Sequence, residues 1–157
     1  MIDMRTTPYA ALVLRLGLGS LFLAHAGIEI SAFTPAGTAE AVTSAGQPGW
    51  LAYIAIAWEV FGGAALILGF MPRLIALTMI PVLLGVIVDD HGSDGSFFTN
   101  LNGGWEFPAL WLLALVAQVL IGDGAFALEP TPVVAGWFAP ATQRHRDRLR
   151  QTRKFAQ

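Results

Sequence analysis

The chain alternates between long apolar runs and short segments that are polar or rich in turn-forming residues. The apolar runs cover residues 9–28, 50–70, 74–88 and 105–121. Because a helix rises roughly 1.5 Å per residue, about 20 residues cross the ~30 Å hydrocarbon layer of a membrane. The third run is shorter and contains Pro81, which should kink its helix. The pattern predicts an all-α integral membrane protein, a bundle of four transmembrane helices.

The composition agrees with a membrane location. Hydrophobic residues make up 55% of the 157 residues and charged residues only 13%, which is too apolar for an ordinary soluble domain. The chain has no cysteine, so disulfides, thiolate metal sites and thiol redox steps are excluded. It also has no G-x-G-x-x-G fingerprint and no P-loop. Any redox chemistry therefore needs a bound cofactor or a partner.

The distribution of basic residues indicates the orientation. Lysine and arginine are absent from segments 31–49 and 89–104 and are concentrated between residues 144 and 154. By the positive-inside rule, both termini are expected in the cytoplasm. Residues 1–8 lack the pattern of a cleaved signal peptide, so they should form a short cytoplasmic N-terminus ahead of the four-helix domain, residues 9–122.

The segment 123–157 follows the four-helix domain and differs from it in composition. Its first part contains prolines and aromatic residues and is expected to lie along the membrane interface. The basic tail that follows should contact anionic lipid headgroups, each basic residue contributing roughly 1 kcal/mol. A tail tethered to a membrane domain is a poor candidate for nucleic-acid binding, so the lipid bilayer is its expected partner.

Glu59 is a carboxylate in the middle of the second apolar run. A charge there costs about 3 kcal/mol on insertion scales, so Glu59 should face a partner or a cavity. Small residues on the same predicted helix face place it toward packed neighbours; they are Ala52, Ala55, Gly62 and Gly63. One interpretation pairs Glu59 with Arg15 as a structural ion pair. The other makes it a site of proton transfer or ligand binding.

Further polar residues are expected near the outer ends of the helices. At about 100° per residue, Arg15, His25 and Glu29 fall within about 80° of one helix face, so all can face into the bundle. In the predicted orientation, His25 and Glu29 lie at the outer ends of the helices together with two further residues. These are His91, which follows the third run, and Glu106, which lies at the start of the fourth. The candidate catalytic residues are Glu59, His25 and His91, and the candidate ligand-binding residues are Arg15, Glu29, Trp105 and Glu106.

Short motifs occur in a characteristic order between residues 12 and 129. The first is Leu14–Gly19 followed by Leu21–His25, the second is Glu59–Gly63 with Leu68–Leu77, and the third is His91 with Gly104–Pro108. Together they resemble the DoxX family of small four-helix membrane proteins. The chain departs from the family pattern at Glu29, an acid where lysine is common. This change should make the outer cluster suit a cation or a proton.

The resemblance implies a redox-associated membrane subunit in the inner membrane of a bacterium, working with partner oxidoreductases. It names no substrate. Under the first hypothesis, a quinone headgroup enters between the helices and exchanges hydrogen bonds and protons with His25, Glu59 and His91. The chain would then be the membrane subunit of a quinone-linked oxidoreductase.

Two alternatives stay open. The chain could transport or bind a metal or a small molecule, with a mixed nitrogen and oxygen site for a divalent cation formed by His25, Glu29, His91 and Glu106. It could instead be a non-catalytic scaffold that anchors soluble redox enzymes. Glycine-rich helix faces also allow a homodimer.

Overall fold

The computed structural model describes residue 3 and residues 5–89 and 104–132. These residues form five α-helices and one π-helical segment, and they contain no β-strand. In chain order the elements are α1 (Thr7–Ile28), the π-helical segment (Glu29–Phe33), α2 (Pro35–Ser44), α3 (Trp50–Leu68), α4 (Pro72–Asp89) and α5 (Glu106–Ile121). The prediction of an all-α protein is confirmed for this part of the chain.

Four of the helices, α1, α3, α4 and α5, coincide closely with the four predicted apolar runs. The continuous helical stretch Thr7–Phe33 and helix α3, with 27 and 19 residues, are long and apolar enough to cross a membrane. The apolar stretches Pro72–Val88 and Glu106–Ile121 are shorter. By length and composition, the described residues thus contain two candidate membrane spans and two shorter apolar helices.

Helix α2 was not expected, because the sequence of segment 31–49 suggested a loop without regular structure. The described residues thus form five α-helices rather than four, and the prediction that four of them cross the membrane stays a prediction. The side chain of Thr34 caps α2 by accepting a hydrogen bond from the backbone N–H of Gly37 at 3.2 Å. Pro35 follows in the first turn, where its missing N–H is harmless.

The helices α1 and α3 run antiparallel and touch through their backbones at two glycines. A Cβ atom added to Gly19 would lie 2.6 Å from the carbonyl oxygen of Gly63, and one added to Gly63 would lie 2.9 Å from that of Gly19. Neither position leaves room for a side chain. This close approach brings the second half of α1 against the middle of α3, where Glu59 lies.

A core of buried apolar side chains joins the four long helices. It includes Phe22 from α1, Leu66 from α3, Met79 from α4 and Leu115 from α5. Large apolar side chains also cover the outside of the helices, for example Val13 and Leu110. An apolar exterior of this extent is expected where a protein meets lipid.

Candidate functional site

The site is built on a direct contact between α1 and α3. His25 Nδ1 lies 3.1 Å from Glu59 Oε2, and the Glu59 side chain is only 3% exposed. The expectation that Glu59 turns toward packed neighbours is confirmed, because Ala52, Gly62 and Gly63 on the same face are buried too. An imidazole at hydrogen-bond distance from a buried carboxylate can pass a proton along the contact, which is the chemistry of an acid and base pair.

Glu29 stands one helical turn beyond His25 and joins the same group. Its Oε2 lies 3.9 Å from His25 Nδ1, and its side chain is mostly buried. One ligand atom from each of His25, Glu29 and Glu59 can be chosen so that all three lie within 4.8 Å of one another. Imidazole nitrogen and carboxylate oxygen form a donor set that several divalent cations accept. We call these three residues the polar cluster.

A cavity of about 680 Å³ opens beside the polar cluster, between α1, α3, α4 and α5. We call it the main cavity. His25, Glu59 and Glu106 supply polar groups to its lining, and Phe107 and Trp111 supply aromatic surface. Its volume lies in the range of about 300–1,000 Å³ that is usual for small-molecule sites. A mostly apolar pocket with a few convergent polar groups can bind an apolar ring that carries polar substituents.

Trp111 connects the cavity to the core of the bundle. Its ring packs edge-on against His25 with centroids 6.0 Å apart, and it contacts Phe22 at 4.5 Å. The indole nitrogen Nε1 is buried and has no hydrogen-bond partner among the described residues. Trp111 could not be singled out from the sequence, because one aromatic residue in an apolar helix equally suits contact with lipid.

The remaining candidate residues have different positions. Glu106 lies in the first turn of α5 and lines the main cavity. Trp105 is the residue that precedes α5; it is 42% exposed and does not belong to the lining of the main cavity. His91 lies outside the described residues. Its predicted role therefore stays a prediction, and the same holds for the basic tail.

Arg15 does not pair with Glu59. The residue stands ten positions before His25 in α1, roughly 15 Å away along the helix axis. Its guanidinium is 1% exposed and donates hydrogen bonds to the backbone carbonyls of Asp123, Ala125 and Phe126, at 3.1, 3.0 and 2.9 Å. The interpretation of an Arg15–Glu59 ion pair is wrong, and Arg15 instead fastens the segment after α5 to the bundle.

Asp123 organises this second polar region, at the end of the bundle away from the polar cluster. Its carboxylate accepts hydrogen bonds from the hydroxyl and the backbone N–H of Thr131, at 2.7 and 3.1 Å, and from the backbone N–H of Arg73 at 3.3 Å. In the sequence, Asp123 stands between Gly122 and Gly124, a pattern typical of a helix end. Its contacts depend on how segment 123–132 folds back, which no local pattern specifies.

Comparison with known proteins places this site in a family. The DoxX family matches residues 10–92, more than half of the chain and a range that contains the whole polar cluster. The chain is 28% identical over 119 residues to a Bacillus subtilis (strain 168) protein named "Putative oxidoreductase CatD", covering 76% of this chain and 84% of that relative. No solved structure matches the chain significantly. The resemblance seen in the sequence motifs is confirmed, and the chain belongs to the DoxX family of membrane proteins.

Proposed function

We propose that this protein is a redox-associated membrane subunit whose main cavity binds a quinone headgroup, with His25 and Glu59 exchanging protons with it. The observation that carries the proposal is the 3.1 Å contact between His25 Nδ1 and Glu59 Oε2 at the wall of a cavity of about 680 Å³. The relative named as an oxidoreductase supports the redox class. The volume and the lining of the main cavity support a quinone as the ligand.

The cavity suits the shape and polarity of a quinone. A quinone ring is flat and apolar, with carbonyl oxygens that accept hydrogen bonds. Phe107 and Trp111 offer aromatic surface to such a ring, and stacked or edge-on aromatic contacts add about 0.5–1.5 kcal/mol beyond the burial of area. Trp111 also holds a buried indole N–H that has no acceptor within the described segments.

The His25–Glu59 pair can supply the protons that quinone reduction consumes, even though the chain carries no redox group of its own. Reduction to the quinol takes up electrons and protons together. In this proposal the electrons come from a partner oxidoreductase, since the chain has no cysteine to store them. The protons come through the imidazole of His25 and the carboxylate of Glu59, which lie in contact at the wall of the main cavity.

A binding titration tests this function. The protein in lipid nanodiscs is titrated with a short-chain ubiquinone and with menadione, and quenching of tryptophan fluorescence reports occupancy. We expect saturable quenching that His25→Phe weakens by about tenfold, the loss equal to ~1.4 kcal/mol. The control is Glu40→Gln, at an exposed position on α2. Quenching that never saturates, or that is equal in both variants, contradicts the proposal.

We also propose that all four apolar helices cross a bacterial cytoplasmic membrane with both termini inside. The support is the absence of basic residues from segments 31–49 and 89–104. Because the chain has no cysteine, a single introduced one reports its own side of the membrane. Glu40→Cys should react with an impermeant maleimide in intact spheroplasts, and Leu128→Cys only after permeabilisation. The opposite pattern contradicts the orientation.

A divalent cation is a second candidate ligand, because the donor atoms of His25, Glu29 and Glu59 can lie within 4.8 Å of one another. Such a cation would make the protein a metal-binding or transport protein. Protein purified without a histidine tag and dialysed against Mn²⁺ should then hold about one ion by electron paramagnetic resonance. The variant Glu29→Gln should lose the ion, and Glu40→Gln should keep it. No bound ion in the unmodified protein contradicts this alternative.

A further inference from the structure

A second cavity lies on the other side of Glu59. It has a volume of about 340 Å³, is open on one side, and is lined by the π-helical segment, α2, α3, α4 and the segment that joins α2 to α3. Its lining is mostly apolar, and its polar groups come from Glu29, Thr38 and Gln47 in addition to Glu59. We call it the side cavity. Among the residues that the structure describes, only Glu59 and Val86 line both cavities, so the Glu59 side chain forms part of the wall between them.

The two cavities have different connections. The polar groups of the main cavity include His25 and Glu106, whereas Glu29 lines the side cavity alone. Gln47, in the turn between α2 and α3, is exposed on the surface and also lines the side cavity. The side cavity therefore runs from the outer surface of the bundle, past Glu29, to a carboxylate that is only 3% exposed.

A ligand in the main cavity creates a problem that this arrangement solves. A quinone that fills the main cavity displaces water from the His25 side of Glu59. The carboxylate then needs another path to exchange protons with the aqueous phase. A chain of polar groups with small internal volumes for water is the usual form of such a path in membrane proteins.

We infer that the side cavity is the path by which Glu59 exchanges protons with the outer aqueous phase, with Glu29 beside its inner part and Gln47 at its mouth. The inference rests on the proposed function, in which Glu59 handles protons. It adds that the ligand and the protons use different cavities, because the ligand occupies the main cavity and protons travel through the side cavity. In each exchange, the Glu59 carboxylate takes up a proton from water in the side cavity.

Gly85 gives a way to close the side cavity without touching the main one. It lines only the side cavity, and a Cβ added there would meet no atom within 4 Å. Gly85→Leu should therefore place a side chain in open space and obstruct the path. Gly17 is the matched control, because a Cβ there also meets nothing within 4 Å and Gly17 lines neither cavity. Both variants replace a helical glycine by a good helix former.

The experiment measures how fast Glu59 reacts with a water-soluble carbodiimide and methylamine, by mass spectrometry of the resulting amide. With the main cavity filled by menadione, Glu59 in the unmodified protein and in Gly17→Leu should react at similar rates. Gly85→Leu should slow the reaction about tenfold, equivalent to ~1.4 kcal/mol of added barrier. Menadione affinity should be unchanged in Gly85→Leu, since that residue is not in the main cavity lining.

Two results overturn the inference. In the first, Glu59 does not react with the carbodiimide although the exposed Glu40 does. In the second, Glu59 reacts at equal rates in Gly85→Leu and Gly17→Leu. A failure of the proposed function looks different. In that case menadione gives no saturable quenching, whereas Gly85→Leu still slows the reaction of Glu59 relative to Gly17→Leu, by less than tenfold because the open main cavity also admits the reagent. Circular dichroism of both variants shows whether the fold is kept.

Discussion

The contact between His25 and Glu59 should have a measurable coupling energy. Hydrogen bonds between membrane helices average about 0.6 kcal/mol in double-mutant cycles and reach about 1.7. Here the acceptor is a carboxylate that is 3% exposed, at 3.1 Å from Nδ1, and hydrogen bonds to charged groups are about twice as strong as neutral ones. The imidazole is 41% exposed, which screens part of the gain. We expect a coupling of about 1–1.5 kcal/mol.

The assay is a cycle of Glu59→Leu, His25→Phe and the double variant, each keeping a similar shape while removing the hydrogen bond. Unfolding in mixed micelles with increasing dodecyl sulfate gives the free energy of unfolding of each protein. A parallel cycle of Glu40→Leu with His25→Phe should show no coupling, since Glu40 is exposed on α2. A His25–Glu59 coupling below about 0.3 kcal/mol would refute the contact, because distant sites add within that range.

Two further predictions concern the rest of the bundle. Arg15→Gln should lower the free energy of unfolding by about 3 kcal/mol, because three backbone carbonyls lose a buried charged donor. The same variant should speed proteolysis within segment 123–132. The control Arg5→Gln, at an exposed position, should have neither effect. Gly63→Leu should destabilise the protein by about 3 kcal/mol in the same unfolding assay, because its Cβ would meet the backbone of α1. Gly17→Leu should be nearly neutral, and equal effects of the two leucines would argue against the close α1–α3 contact.

The sequence predicted the long helices and the burial of Glu59 because both depend on local patterns. Apolar runs of membrane length form helices whatever their neighbours are. Helix α4 begins at Pro72, two residues before the predicted run 74–88, since Gly69 ends α3 with a φ of 77° and proline suits a first helical turn. Small residues around Glu59 predicted the close neighbours of that carboxylate. These features need no knowledge of how the chain folds back on itself.

Contacts between distant segments were not predictable in the same way. Arg15 was paired with Glu59 from helical phase alone, although side chains on a helix lean toward its N-terminus. In α1 that direction leads away from His25 and toward the carbonyls of segment 123–126. Helix α2 was missed because its length of 10 residues gives a weak periodic signal. The Thr34–Pro35 pair was the available sign of its start.

The most direct test of the proposed site is photo-crosslinking with an azido-quinone in native membranes, followed by mass spectrometry of the labelled peptides. The proposal predicts labels confined to the lining of the main cavity, around His25 in α1 and between Phe107 and Trp111 in α5. Excess unlabelled ubiquinone should compete for these positions, and Glu59→Leu should reduce them. Labels spread over lipid-facing residues such as Val13 and insensitive to competition would contradict the proposed quinone site.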